Sequence, residues 1–285
     1  FLSPLPYNTA RMLIALLGAW TILWLSKSYK PFAREDVMPL VKVSVFGFFV
    51  FQMFFTVGIQ HTAAGNAALI LGLLPVSVAI INKIFGLEPI TRPILAGIML
   101  SLVGIILIIY GSGKEFSMTG SHITGALMLL AAQAGYGYYT VFAKNLLTKY
   151  STYQVTAYVV TITTLLFGLM SVPELTKVNW AAVPAPGWSS ALYSGIFPLC
   201  IGNFLWIWGA GKIGSNKAAV YNNLLPVFAI IASYLLLGET FGLLQFAGAL
   251  IIFTGLYLTR KKPATAVMLV SAAPVHPTRN HPGHD

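Results

Sequence analysis

The sequence predicts an all-α integral membrane protein: two inverted five-helix repeats around a central cavity, ten transmembrane helices of which nine are visible here. Three observations lead there. Of 285 residues, 57% are hydrophobic and 8% charged, against roughly 25% charged in average soluble chains, so bilayer is the solvent this composition suits. Apolar segments of about 17–25 residues, the length a spanning helix needs, follow one another with short connections. Shifting the chain by 151 positions without a gap lays its second half on its first, with Pro75 on Pro226.

The nine spans fall at 7–25, 40–59, 65–82, 93–110, 123–143, 153–172, 188–210, 217–237 and 242–259. Backbone polar groups in hydrocarbon must be bonded within the spanning structure, which leaves helices or closed barrels. Continuous apolar runs of this length exclude a barrel, and no connection is long or polar enough for a soluble domain. The first span carries Asn8 and Arg11 near its outer end. For Arg11, snorkelling to the headgroups is favoured over pairing with a substrate carboxylate. The second holds Gln52 near its middle.

The third contains "LLPV" at 73–76, where a proline should kink or break the helix, because it lacks the N–H and clashes with the carbonyl one turn back. In the fifth, Gln133, Tyr136 and Thr140 follow i, i+3, i+7 spacing and form a polar stripe on one face. The seventh carries Pro198, Cys200 and Asn203. The eighth repeats "LLPV" at 224–227, preceded by Tyr221, Asn222 and Asn223. Glu88 and Glu239 precede the fourth and ninth spans, whose N-terminal dipoles they are expected to complement.

The net charge of +10 is not gathered on a soluble face, so the partner it implies is the lipid bilayer and not nucleic acid. Lys27, Lys30, Arg34, Lys83, Arg92, Lys144, Lys149, Lys212, Lys217, Arg260, Lys261 and Lys262 lie in one set of alternate loops, Lys114 and Lys177 in the other. This positive-inside distribution places Phe1 outside and the Arg260 end, with the C-terminus, in the cytoplasm. The lone Cys200 excludes disulfides and thiolate metal sites. A membrane-embedded enzyme needs a His-Glu-x-x-His pair, paired aspartates or a Ser–His set, and none is visible; no enzyme, metal or cofactor is expected. After Lys262 the chain is rich in Pro and small residues and is expected to be a disordered tail, with His276, His281 and His284 solvated in it.

The 151-residue shift also lays Gly58 on Gly209, Ala67 and Ala68 on Ala218 and Ala219, Glu88 on Glu239, Ala96 and Gly97 on Ala247 and Gly248, and Gly104 on Gly255. The charge pattern puts Glu88 inside and Glu239 outside, so the repeat is inverted. Inversion requires an odd number of spans per unit. The second unit has five and the first shows four, so a further helix is expected upstream of Phe1. The units run 1–115 and 116–262, with the tail at 263–285.

Pro and Arg in "LSPLPYNTARMLIALL", "LLPV" two spans later, and a Glu followed by "LAGIMLSLVGIIL" resemble the EamA-type drug/metabolite transporter superfamily over residues 1–262. Within it, the sequence is most similar to YddG-type bacterial exporters of aromatic and other amino acids. The resemblance implies a monomeric exporter of amino acids, aromatic ones preferred, working by alternating access. Exporters of other drugs or metabolites and importers of the same fold are the alternatives.

Inverted repeats hold substrate near the midplane, where the units meet, and polar groups there are costly enough to be functional candidates. The substrate-binding candidates are Gln52 and its 151-shifted equivalent Asn203, with Gln133, Tyr136, Tyr221, Asn222, Phe48 and Phe55. Interhelical hydrogen bonding by the amides and simple packing by the phenylalanines stay open beside that role. Tyr138, Tyr139, Trp206 and Trp208 stand between aromatic belt and cavity. Pro75, Pro226 and Pro198 are candidate hinges, with static kinks as the alternative. All seven acidic residues fall in loops, helix ends or the tail, so none is placed for a proton relay, and facilitated downhill export is expected.

Overall fold

The nine predicted spans are helical, two of them broken by two-residue turns, in the structure, a computed structural model, which describes residues 2–62, 64–111, 120–237 and 242–260. No strand occurs among the described residues. The expected disordered tail, Glu115 and Glu239 lie outside them. Helix α1 (Pro4–Ser26) starts on a proline, whose missing N–H is one that a first turn leaves unbonded anyway. It ends at Lys27, which takes the left-handed conformation with φ 49°.

The second span is α2 (Arg34–Lys42), a π-helical stretch (Val43–Phe49) and α3 (Val50–Gly58). The third is α4 (Ala64–Leu71) and α5 (Leu74–Phe85), followed by α6 (Arg92–Gly111), α7 (Gly120–Leu146) and α8 (Thr152–Leu175). The seventh is α9 (Ala185–Ser194), a second π-helical stretch (Gly195–Gly202) and α10 (Asn203–Ile213). The eighth is α11 (Ser215–Asn222) and α12 (Leu225–Leu237), and the last is α13 (Leu243–Thr259). By length and apolarity, Pro4–Ser26, Arg34–His61, Asn66–Phe85, Arg92–Gly111, Thr152–Leu175 and Ala185–Ile213 are each able to cross a membrane. This is a multi-pass membrane protein.

Irregularities come in pairs at the repeat spacing. The two π-helical stretches overlap when shifted by 151 residues, and so do the interruptions at Gly72–Leu73 and Asn223–Leu224. The prolines of "LLPV" therefore do not sit in a helix interior, as the sequence suggested. Pro75 and Pro226 are the second residues of α5 and α12, where an absent N–H costs nothing. At the first break the apolar run conceals the interruption because α4 and α5 are similarly hydrophobic, whereas at the second the polar α11 gives way to the apolar α12. Pro198 does lie within a helical stretch, the second π segment, a distortion that an interior proline commonly accompanies.

The repeat-equivalent helices α6 and α13 cross backbone to backbone. A Cβ on Gly104 would lie 2.6 Å from the Gly248 carbonyl oxygen, and one on Gly97 2.8 Å from that of Gly255. Since Gly248 and Gly255 are the 151-shifted equivalents of Gly97 and Gly104, each glycine meets the partner of the other. That reciprocity is the signature of a two-fold relation between antiparallel elements. Small residues let membrane helices approach closely enough for dense van der Waals packing.

Glu88 corrects a further expectation. It does not cap α6, the helix that follows it; its carboxylate accepts hydrogen bonds from the Ser215 and Asn216 N–H groups at the start of α11. The partner lies more than a hundred residues away, beyond the reach of a local capping rule.

Candidate functional site

The interruption between α4 and α5 leaves the Leu71 carbonyl without its usual donor, because the residue four positions on is Pro75. Gln133 of α7 supplies one: its Nε2 donates to the Leu71 oxygen at 3.1 Å. The polar stripe on α7 thus begins by repairing the broken helix. Gln133 is buried, and its Oε1 has no hydrogen-bond partner.

One turn further along α7, Tyr136 stands inside an aromatic layer. Phe51 stacks on it with centroids 4.5 Å apart, and Trp206 of α10 stacks on it at 5.5 Å. Trp206 is held by its Nε1, which donates to Thr140 Oγ1 at 3.0 Å, while that hydroxyl donates to the Tyr136 carbonyl at 2.7 Å. Tyr139 extends the layer, 5.9 Å from Tyr136 and 5.0 Å from Phe48. Offset or tilted ring pairs at these separations contribute about 0.5–1.5 kcal/mol each beyond area burial, so the layer is rigid as well as apolar.

The two equivalent amides have different surroundings. Gln52 lies in a polar knot between α1 and α3, where Asn8 Nδ2 donates to Thr56 Oγ1 at 3.0 Å and to Gln52 Oε1 at 3.5 Å. Asn203, the first residue of α10, is 4% exposed. It lies beside the Tyr139 hydroxyl, yet neither that hydroxyl nor either end of the carboxamide completes a well-formed hydrogen bond. Buried polar groups are nearly always paired, so a donor and an acceptor left over beside an aromatic layer are chemically available.

The structure therefore gathers Gln133, Tyr136, Phe48 and Asn203 around the layer and leaves the other candidates at its margin or away from it. Gln52 serves interhelical bonding. Phe55 lies 5.5 Å from Phe51 and packs on the buried cluster of Ala67, Ile70 and Leu129. Tyr221 packs toward α6 and α13, its hydroxyl accepting from Arg260 Nε at 3.1 Å. Asn222 is partly buried, whereas its neighbour Asn223 is wholly buried and donates to Ser101 Oγ at 2.8 Å. Of the four aromatics left between belt and cavity, Tyr139 and Trp206 join the layer, Tyr138 lies tilted against Phe142, and Trp208 is exposed. Phe51 escaped the sequence reading, although Phe48, Phe51 and Phe55 share the i, i+3, i+7 spacing that marks one helix face.

Arg11 has its Nε buried without a hydrogen-bond partner, and its guanidinium lies 5.8 Å from the Tyr7 ring centroid. The described ion pairs join Lys144 to Glu88 and Lys149 to Glu35 and Asp36. Glu174, near the end of α8, accepts from Ser3 Oγ. These four described acidic residues all sit near helix ends or in loops.

The EamA-like transporter family model matches residues 1–110 and again 123–261. The uncharacterized transporter YetK of Bacillus subtilis is 26% identical over 258 residues, covering 89% of this chain and 78% of its own length. A probable terminal-alkyne amino-acid exporter of Streptantibioticus cattleyicolor is 26% identical over 236 residues, 82% of this chain and 76% of that one. An S-adenosylmethionine/S-adenosylhomocysteine transporter of Chlamydia muridarum is 26% identical over 260 residues, 88% and 81% of the two chains. A solved crystal structure shares the fold at a TM-score of 0.77 and 16% identity, covering 91% of this chain and 88% of the other.

Proposed function

The chain belongs to the EamA-like transporter family and is a membrane transporter, and on that premise we propose that it exports amino acids, aromatic ones preferred, by alternating access. In this reading it works as a monomer in the bacterial inner membrane, with the Lys- and Arg-rich end cytoplasmic, and carries substrate downhill. The observation that carries the substrate class is the Phe51–Tyr136–Trp206 stack beside the unbonded Asn203 carboxamide. A ring can slide against the stack while a neutral amide, which donates and accepts, meets the ammonium and carboxylate ends without a buried net charge. The amino-acid exporter among the relatives supports the same class, as does the likeness to YddG-type exporters.

The same stack would hold the purine of an adenosyl substrate, and that is the second reading. The described acidic residues near helix ends support a facilitator, because proton-driven carriers commonly relay through an intramembrane carboxylate or histidine. The test is efflux from proteoliposomes loaded with phenylalanine, leucine, alanine or S-adenosylmethionine, with and without an imposed pH gradient. Phenylalanine leaving fastest, at a rate the gradient does not change, is the expected result. Uphill accumulation driven by the gradient refutes the facilitator, and preference for the adenosyl compound replaces the substrate class.

A further inference from the structure

At the basic end of the molecule, one carboxylate of the first repeat is held by two elements of the second. Glu88, in the loop after α5, accepts from the Ser215 N–H at 3.0 Å through Oε1 and from the Asn216 N–H at 3.1 Å through Oε2. Lys144, near the end of α7, pairs with the same group. Asn82, wholly buried near the end of α5, donates Nδ2 to Ser215 Oγ at 2.9 Å and to Asn216 Oδ1 at 3.0 Å. Gly214 makes room: its φ is +91°, and a Cβ there would lie 3.2 Å from Glu88 Oε2.

The first N–H groups of a helix have no partner within it, and they sit at the positive end of its dipole, so a carboxylate is well suited to close them. Burial pushes the Glu88 carboxyl up, but the Lys144 ammonium and the two N–H groups outweigh it and hold the group below the usual glutamate range.

We propose that Glu88 is a latch that closes the basic end of the transport pathway and releases when the start of α11 parts from α5. The proposal rests on the alternating-access reading and adds the moving contact to it. Two contacts between the repeats can be compared. At the α6–α13 crossing, backbone meets backbone through Gly97, Gly104, Gly248 and Gly255; separating it would expose apolar surface and close packing along its whole length. The Glu88 contact is polar and partly reachable by solvent, with side-chain exposures of 16% for Glu88 and 31% for Lys144. Water can take over each of its hydrogen bonds as it opens, which keeps the cost of release low. Its two half-helices, α5 and α11, each have their other end at an interruption, so each is free to tilt about that break. Beneath the latch, Ala219 packs against Leu74 and Val78, and parting α11 from α5 uncovers it.

The test introduces Ala219→Cys into the full chain carrying Cys200→Ser, and follows labelling by a membrane-impermeant maleimide in right-side-out and inverted vesicles. Slow labelling from both sides is expected with Glu88 present. Glu88→Gln should raise the rate about tenfold from the basic end alone, since a charge-assisted hydrogen-bond set is worth roughly that factor or more. Lys144→Met, which keeps the helix cap but removes the ion pair, should give a smaller rise on the same side. It decides the matter by the same readout if Glu88→Gln does not fold. An unchanged rate, or an equal rise from both sides, overturns the latch. Labelling needs no substrate, so a chain that fails to carry amino acids but shows the one-sided rise refutes the substrate reading and leaves the latch standing.

Discussion

The two interrupted helices share a backbone and differ in what holds them. Between α4 and α5 the break falls at Gly72–Leu73, after apolar Ile70 and Leu71, and its orphan carbonyl is bonded by Gln133 from α7. Between α11 and α12 it falls at Asn223–Leu224, and Asn223 itself reaches Ser101 on α6. The first break is thereby joined to the helix that bears Tyr136 and the aromatic layer. The second is joined to the helix that makes the glycine crossing. The two halves share the discontinuity, while one is anchored at the candidate site and the other on the scaffold. In the proposed function, a break joined to the aromatic layer can respond to substrate, and a break tied to the crossing gives a fixed point to move against.

The largest effect that would sharpen this contrast is expected from Tyr136→Leu, which removes the ring shared by both stacks. Initial phenylalanine efflux should fall by at least about tenfold, consistent with losing two ring contacts of about 0.5–1.5 kcal/mol each and the orientation they give. Efflux within twofold of the unaltered chain would detach the layer from transport. Next comes the pair Gln133→Leu and Asn223→Leu. Gln133→Leu leaves the Leu71 carbonyl unpaired, at about 1–3 kcal/mol, while Asn223→Leu removes the bond that Ser101 Oγ accepts, at about 0.5–1.5 kcal/mol; both should lower the melting temperature in detergent. Only the Gln133 variant should also raise the KM for efflux. An equal KM rise in both would erase the difference between the breaks.

Replacing Pro75 and Pro226 together by Ala lets the half-helices regain their missing N–H donors. The expected result is efflux slowed several-fold with substrate binding retained, and unchanged flux would sink their role as hinges. The smallest effect concerns acid. Because the folded-state pKa of Glu88 is lowered, its stabilisation is present above the ordinary glutamate pKa, about 4.3, and is lost only as pH falls through the lowered value. Labelling of the thiol introduced at Ala219 should therefore be flat from pH 8 to pH 5.5 once corrected for the reagent's own pH dependence.

Much of the fold was legible because bilayer spans are written in long apolar runs, and the paired breaks because "LLPV" recurs. Their form was not. Hydropathy does not register the turn at Gly72–Leu73, so Pro75 read as an interior kink and not as the start of α5. Within the site, i, i+3, i+7 spacing found the α7 stripe, whereas Tyr221 was assigned by its place beside "LLPV". On an eight-residue helix covered on most sides, no polar–apolar period reports rotation, and the ring turns to Arg260. Gln52 and Asn203 are equivalent in sequence, but what separates them is Asn8, a neighbour from another helix that no internal alignment can supply.

The central claim is that the aromatic layer selects the substrate. The ratio of phenylalanine to alanine efflux in Trp206→Leu, measured against the unaltered chain in matched proteoliposomes, tests it most directly. Loss of one face of the stack should bring that ratio down toward one while alanine efflux stays near its original rate. A ratio that stays unchanged, with the variant folded and active, would contradict the account.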